Sequence, residues 1–134
     1  MKENGTILLV DDEPNILLAL EFLIKQKGFH VLTAANGAEG IQMARKHLPH
    51  LVILDVMMPG VDGFTVAKAI RQDERLNHTT IVFLTAKGTN QDFEEGYASG
   101  GEIYLTKPFD NQELIDIISE VFEFGWFLFL YLHI

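Results

Sequence analysis

Three aspartates, a threonine and a lysine stand at the ends of short apolar runs in this 134-residue chain. Asp11 and Asp12 follow Ile7-Leu8-Leu9-Val10, and Asp55 follows Leu51-Val52-Ile53-Leu54. Thr85 closes the run Thr80–Leu84, and Lys107 follows the stretch Glu102–Thr106. Singly, each is ordinary: an Asp after a strand is a common turn former, and a Lys before Pro is a common surface residue. Brought to one crevice, three carboxylates repel one another, and the cluster needs cations or raised pKa values to persist. Lys107 supplies one positive charge, and a hard divalent ion supplies the rest. An oxygen-only donor set selects Mg²⁺, which takes a few carboxylates, waters and phosphate oxygens in an octahedral shell. A carboxylate beside Mg²⁺ is suited to accept a phosphoryl group, while a lysine and a hydroxyl hold the phosphoryl oxygens. Asp55, alone at its strand end, is the expected acceptor, with Asp11 and Asp12 as a paired metal seat.

This chemistry requires the runs to be strands that end on one edge. Strand-like stretches at 6–10, 30–34, 51–54, 80–84 and 102–106 alternate with segments of helical period. Pro14 opens the first helical stretch, which carries Ile16, Leu17, Leu20, Leu23 and Ile24 and ends at Gly28. Further helices are expected over 38–47, 64–73 and, more weakly because of Gly96, 91–98. Asp110 or Asn111 is placed to cap a last helix through about Phe124, with Leu114, Ile117, Ile118 and Val121 on one face. Fully apolar strands joined by helices predict an α/β fold: one doubly wound domain whose parallel sheet is covered on both faces. The crevice beyond the carboxyl ends of such strands is where function collects.

Composition narrows the rest. The chain has 10 Lys+Arg, 19 Asp+Glu and no cysteine, and is 48% hydrophobic. Disorder, disulfide frameworks, thiolate zinc sites and cysteine nucleophiles are thereby excluded. A net charge of −9 with no basic run argues against direct nucleic-acid binding. The five histidines show no metal-binding spacing, and no glycine-rich nucleotide loop is present. The opening Met1-Lys2-Glu3-Asn4-Gly5-Thr6 lacks a secretory pattern, which leads to the expectation of a cytoplasmic protein.

The motifs, taken together, resemble the receiver domains of two-component response regulators. The matching stretches are Ile7-Leu8-Leu9-Val10-Asp11-Asp12-Glu13-Pro14 and Leu54-Asp55-Val56-Met57-Met58-Pro59-Gly60 with Asp62-Gly63. Phe83-Leu84-Thr85-Ala86 and Tyr104-Leu105-Thr106-Lys107-Pro108-Phe109 complete the set, in order, over residues 5–124. The resemblance implies a flavodoxin-like five-stranded parallel sheet of order 2-1-3-4-5, with helices on both faces. It implies a signalling domain, not an enzyme, in which Asp55 receives a phosphoryl group from a histidine kinase or phosphotransfer protein. Asp12 and Asp55 would ligate Mg²⁺, Asp11 partly through water, with the Met57 backbone carbonyl completing the protein ligands. Thr85 and Lys107 would hold phosphoryl oxygens, and Tyr104 would be the switch aromatic that turns inward as the Thr85 hydroxyl moves. A surface around the fourth helix, fifth strand and fifth helix would then rearrange toward a downstream effector. One departure is Ile103, where the family commonly carries an acid.

Two alternatives stand beside this reading. One is a receiver piece of a larger regulator that also has an output domain. The other is a Mg²⁺-dependent aspartyl-nucleophile phosphatase, which wants a second acid two residues after the nucleophile, where this chain has Met57. The family pattern leaves residues 125–134 unexplained. The expected division is a receiver domain over 1–124 and an apolar tail over 125–134. Six of the fourteen aromatic residues lie in the last thirteen positions, a run too short for a membrane span. The tail and last helix are expected to pack against a second copy and form a homodimer.

Overall fold

The computed structural model describes residues 5–86, 94, 98–101 and 103–124. Five strands are present: β1 (Thr6–Val10), β2 (His30–Ala34), β3 (Leu51–Asp55), β4 (Thr80–Thr85) and β5 (Ile103–Thr106). Four described helices accompany them: α1 (Pro14–Gln26), α2 (Gly37–His47), α3 (Gly63–Arg71) and α4 (Asn111–Phe124), with a 3₁₀ turn at Glu74–Leu76. All strand pairings are parallel, and the order is β2-β1-β3-β4-β5. The flavodoxin-like arrangement implied by the resemblance is therefore the observed one.

Strand periodicity divides the core into two layers. Leu8, Val10, Val52, Leu54, Ile81 and Phe83 face one way, onto a layer that includes Ala44, Val66, Ala67 and Ile70 of α2 and α3. Their neighbours Ile7, Leu9, Leu51, Ile53, Val82 and Leu84 face the other way, onto Leu20 and Ile24 of α1 and Leu114, Ile118 and Val121 of α4. Because both faces are covered, the central positions of β1, β3 and β4 are apolar in succession, which is why they read as continuous runs instead of alternating ones.

Local sequence sets the helix starts. Asn36 and Asp62 cap α2 and α3 by accepting from the Glu39 and Thr65 backbone N–H groups, each at 2.9 Å. Asp110, not Asn111, caps α4: its carboxylate accepts from Glu113 N at 2.8 Å while Glu113 reaches back to Asp110 N at 3.3 Å. The α3 segment is shorter than its apolar pattern predicts. It ends at Arg71, and Asp73 caps the 3₁₀ turn that follows. Strands β3 and β4 each extend one residue further than expected, to include Asp55 and Thr85. The helix expected over 91–98 and the tail over 125–134 lie largely or wholly outside the described residues.

Candidate functional site

The sheet's carboxyl edge is stitched together one residue beyond its strands. Asp11 N donates to Ala34 O at 3.2 Å, Val56 N to Leu84 O at 3.0 Å, and Lys107 N to Thr85 O at 2.7 Å. Val10 lies opposite Leu54, so Asp11 and Asp55 emerge side by side from adjacent strands. Carboxylate oxygens of Asp11, Asp12 and Asp55 all lie within 4.8 Å of one another. Asp11 and Asp55 are almost fully buried, at 2% and 4% exposure, and Asp12 is half-buried toward the opening.

Lys107 arrives from the end of β5. Its Nζ stands 3.4 Å from Asp11 Oδ2 and 3.5 Å from Asp55 Oδ1, contacts of charge more than close hydrogen bonds. The other Asp11 oxygen accepts from Glu13 N at 2.9 Å, which fixes that carboxylate against the start of α1. One lysine against three carboxylates leaves the cluster net negative. The consequence falls on Asp55, whose pKa is raised to about 6, first by burial and then by Asp11, against the opposing pull of Lys107.

The donor set fits a hard divalent cation. It is all oxygen, holds more negative than positive charge, and is least buried at Asp12. The structure thus brings together Asp11, Asp12, Asp55 and Lys107, and places buried Thr85 on the strand next to Asp55, where Leu84 pairs with it. The Met57 side chain points to solvent at 65% exposure and supplies no second acid, so the phosphatase pattern lacks its partner carboxylate. Tyr104 is half-buried on β5 and packs against Phe83.

Sequence reasoning missed one residue that shapes this site. Gly63 opens α3, donates its N–H to Val56 O at 2.9 Å, and lies so close that a Cβ there would stand 2.5 Å from Asp55 O and 2.8 Å from Val56 Cα. The β3–α3 loop can close onto the Asp55 backbone only without a side chain at this point. The Asp62-Gly63 pair stands among the stretches that carry the family resemblance, but the close approach depends on a contact between strand and helix. Gly63→Ala is expected to cost about 1–3 kcal/mol in a thermal melt, because the backbone carrying Asp55 must shift.

Fold and site together define a doubly wound α/β domain with an acidic pocket of three carboxylates and a lysine at its carboxyl edge. The chain belongs to the response regulator receiver domain family, whose model matches residues 7–119. It is 42% identical over 122 residues to a response regulator of Synechocystis sp., covering 90% of this chain and 53% of that protein. The chain spans about half the length of several curated relatives it matches. Among solved structures it is similar to Vibrio cholerae chemotaxis protein CheY4, at 32% identity and a TM-score of 0.84, covering 88% of this chain and 98% of that one. It is also similar to the receiver domain of a Pseudomonas aeruginosa sensor histidine kinase, solved with a magnesium ion coordinated in its active-site cleft. That match has 28% identity and a TM-score of 0.82, and covers 90% of this chain and 98% of that one. This is a signalling family of two-component systems, whose members work with histidine kinases or phosphotransfer proteins.

Proposed function

We propose that Asp55 is the phosphoacceptor, taking a phosphoryl group from a phosphohistidine of a sensor kinase or phosphotransfer protein. The observation that carries this is the convergence of three carboxylates within 4.8 Å, with the pKa of buried Asp55 raised to about 6. At neutral pH most Asp55 is ionised yet poorly solvated, a state suited to attack on phosphorus. An Asp55 carboxylate oxygen forms the new O–P bond as the P–N bond of phosphohistidine breaks, and the departing imidazole takes up a proton. Asp11, Asp12, Asp55 and the Met57 carbonyl are the residues that would hold Mg²⁺, whose contribution when bound is to neutralise charge on the phosphoryl oxygens. Lys107 holds a phosphoryl oxygen as it leaves its loose contact with Asp55. The Thr85 hydroxyl takes another and, in moving, opens space for Tyr104 to turn inward, a two-state element biased by a local dianion.

The surroundings suit a docking partner. Leu18 and Phe22, four residues apart on α1, are 68% and 65% exposed, and Met57 is exposed on the loop between β3 and α3. A depression of about 450 Å³ lies beside Asp55, lined by Val56, Met57, Met58, Pro59, Asp62 and Phe64. Among the described residues no helix is long and apolar enough to cross a membrane, and a cytoplasmic location is part of this reading. The test is incubation with acetyl phosphate and intact-mass measurement. One phosphoryl group is expected with Mg²⁺ and none after chelation; uptake independent of Mg²⁺ contradicts the reading.

The proposed domain limits are 1–124 for the receiver and 125–134 for the tail. The tail's uncharged, aromatic-rich run from Trp126 to Leu132 supports a role in pairing two copies. Light scattering should show a dimer for the full chain and a monomer for a chain ending at Glu123; an unchanged dimer would overturn that role.

A further inference from the structure

Phe83 is fully buried in β4, two residues before Thr85, and its ring lies between two others. Phe64, the residue after Gly63, meets it edge-on at 5.2 Å and 69°. Tyr104, its ladder partner across β4 and β5, lies against it at 5.2 Å with a tilt of 38°. The third neighbour is Gly101. A Cβ at that position would stand 2.1 Å from Phe83 Cε2 and 2.6 Å from Cδ2, so the ring and a side chain at 101 exclude each other.

The backbone at this point is held from a second direction. Gly100 has φ +109°, and its carbonyl accepts from Arg71 Nε at 3.0 Å. Arg71 Nη1 also donates to Leu76 O at 3.1 Å, so the guanidinium ties the end of α3 to the chain entering β5. Arg71 therefore fixes the Gly100-Gly101 backbone, and the Phe83 ring fills the space left under it.

We propose that Phe83 is a positioning residue for the Tyr104 ring, and that Gly101 is its steric complement, the missing side chain that lets a phenyl ring occupy this place. The functional part of the proposal rests on the reading of Tyr104 as the switch aromatic. Tilted rings in contact prefer discrete relative placements over a continuum. Phe83 thus gives Tyr104 one defined resting place, and any inward turn toward Thr85 moves it across the Phe83 face. Through Phe64 the same ring touches the segment that closes onto Asp55. A packed core with few alternative arrangements turns small displacements into a choice between two states.

A double-mutant cycle with tyrosine NMR tests this. Gly101→Ala alone should lower Tm by roughly 4–10 °C, because the ring must be displaced. Phe83→Leu alone should lower it by a comparable amount through lost packing. The double variant should lose no more than Phe83→Leu alone, since the smaller side chain makes room for the new methyl. Losses that simply add would overturn the pairing. In the unphosphorylated protein, Phe83→Leu should move the Tyr104 ring resonances, assigned by their disappearance in Tyr104→Phe. It should also shrink the change those resonances show on treatment with acetyl phosphate and Mg²⁺, while the intact mass still records one phosphoryl group. Unmoved Tyr104 resonances, or a full-sized response, would overturn the positioning role. If the wild-type chain takes up no phosphoryl group, the reading of Asp55 fails; the cycle and the unphosphorylated spectra still decide the Phe83–Gly101 pair on their own.

Discussion

Asp55→Asn is expected to raise the melting temperature in magnesium-free buffer at neutral pH, although it removes a buried group at the heart of the site. Asp55 has a pKa raised from 3.8 to about 6, with burial the first cause and Asp11 the second. Its charge therefore destabilises the folded state wherever it is ionised. Two pKa units correspond to about 3 kcal/mol between protonation states. Part of that is returned when Lys107 loses a partner, so a net gain on the order of 1–2 kcal/mol, or roughly 3–8 °C, is expected. The pH dependence has a definite sign. Between pH 6 and 4 the folded wild type binds the proton that the unfolded chain lacks, so wild-type stability at this group rises as pH falls. The advantage of the Asn variant should shrink through that window and vanish near pH 4. Saturating Mg²⁺ should reverse the order at pH 7, since a ligand at a hundred times its Kd adds about 2.7 kcal/mol to a protein that binds it. Differential scanning calorimetry with and without Mg²⁺ checks all three features; an Asn variant less stable than wild type in magnesium-free buffer at pH 7 would contradict the electrostatic account.

Lys107→Ala is expected to slow phosphoryl uptake from acetyl phosphate by on the order of 10²–10³-fold, the usual effect of removing a donor aimed at developing charge. Among the described residues, Lys107 is the cation placed against both Asp11 and Asp55. Loss of binding to the metal is not the expected cause. Taking away a competing positive charge should leave Mg²⁺ affinity, read by calorimetric titration, unchanged or tighter. The same change removes the one influence that lowers the Asp55 pKa, so carboxyl titration by carbon NMR without metal should move above the wild-type value near 6. Slow uptake with weakened Mg²⁺ binding would place the lysine in holding the pocket together, not in holding the phosphoryl group.

Much of this was legible in the sequence, for a physical reason. A parallel sheet covered on both faces forces its strands to be wholly apolar, so the first polar residue after each run marks the carboxyl edge. Asp11, Asp55 and Thr85 are those residues, Lys107 follows the last residue of β5, and strand order brings the first two together. What was not legible depends on contacts between elements distant in sequence. Gly63 looks like any glycine after a helix cap until Asp55 O is found against it. Phe83 reads as a strand residue and Gly101 carries no signal of its own; their mutual exclusion exists only after β4 and β5 pair. The early end of α3 escaped because Asp73 reads as a last-turn residue in sequence, whereas its side chain caps a separate 3₁₀ turn that sends Leu76 to the same core. The raised Asp55 pKa likewise depends on burial, which composition does not report.

The central claim concerns which carboxylate carries the phosphoryl group. The direct measurement is to treat the full chain with acetyl phosphate and Mg²⁺, reduce the acyl phosphate with borohydride, and map the reduced residue by peptide mass spectrometry. The account predicts reduction at position 55 alone, and none in Asp55→Asn. Reduction at position 11 or 12, or a phosphoryl group that survives on Asp55→Asn, would contradict it.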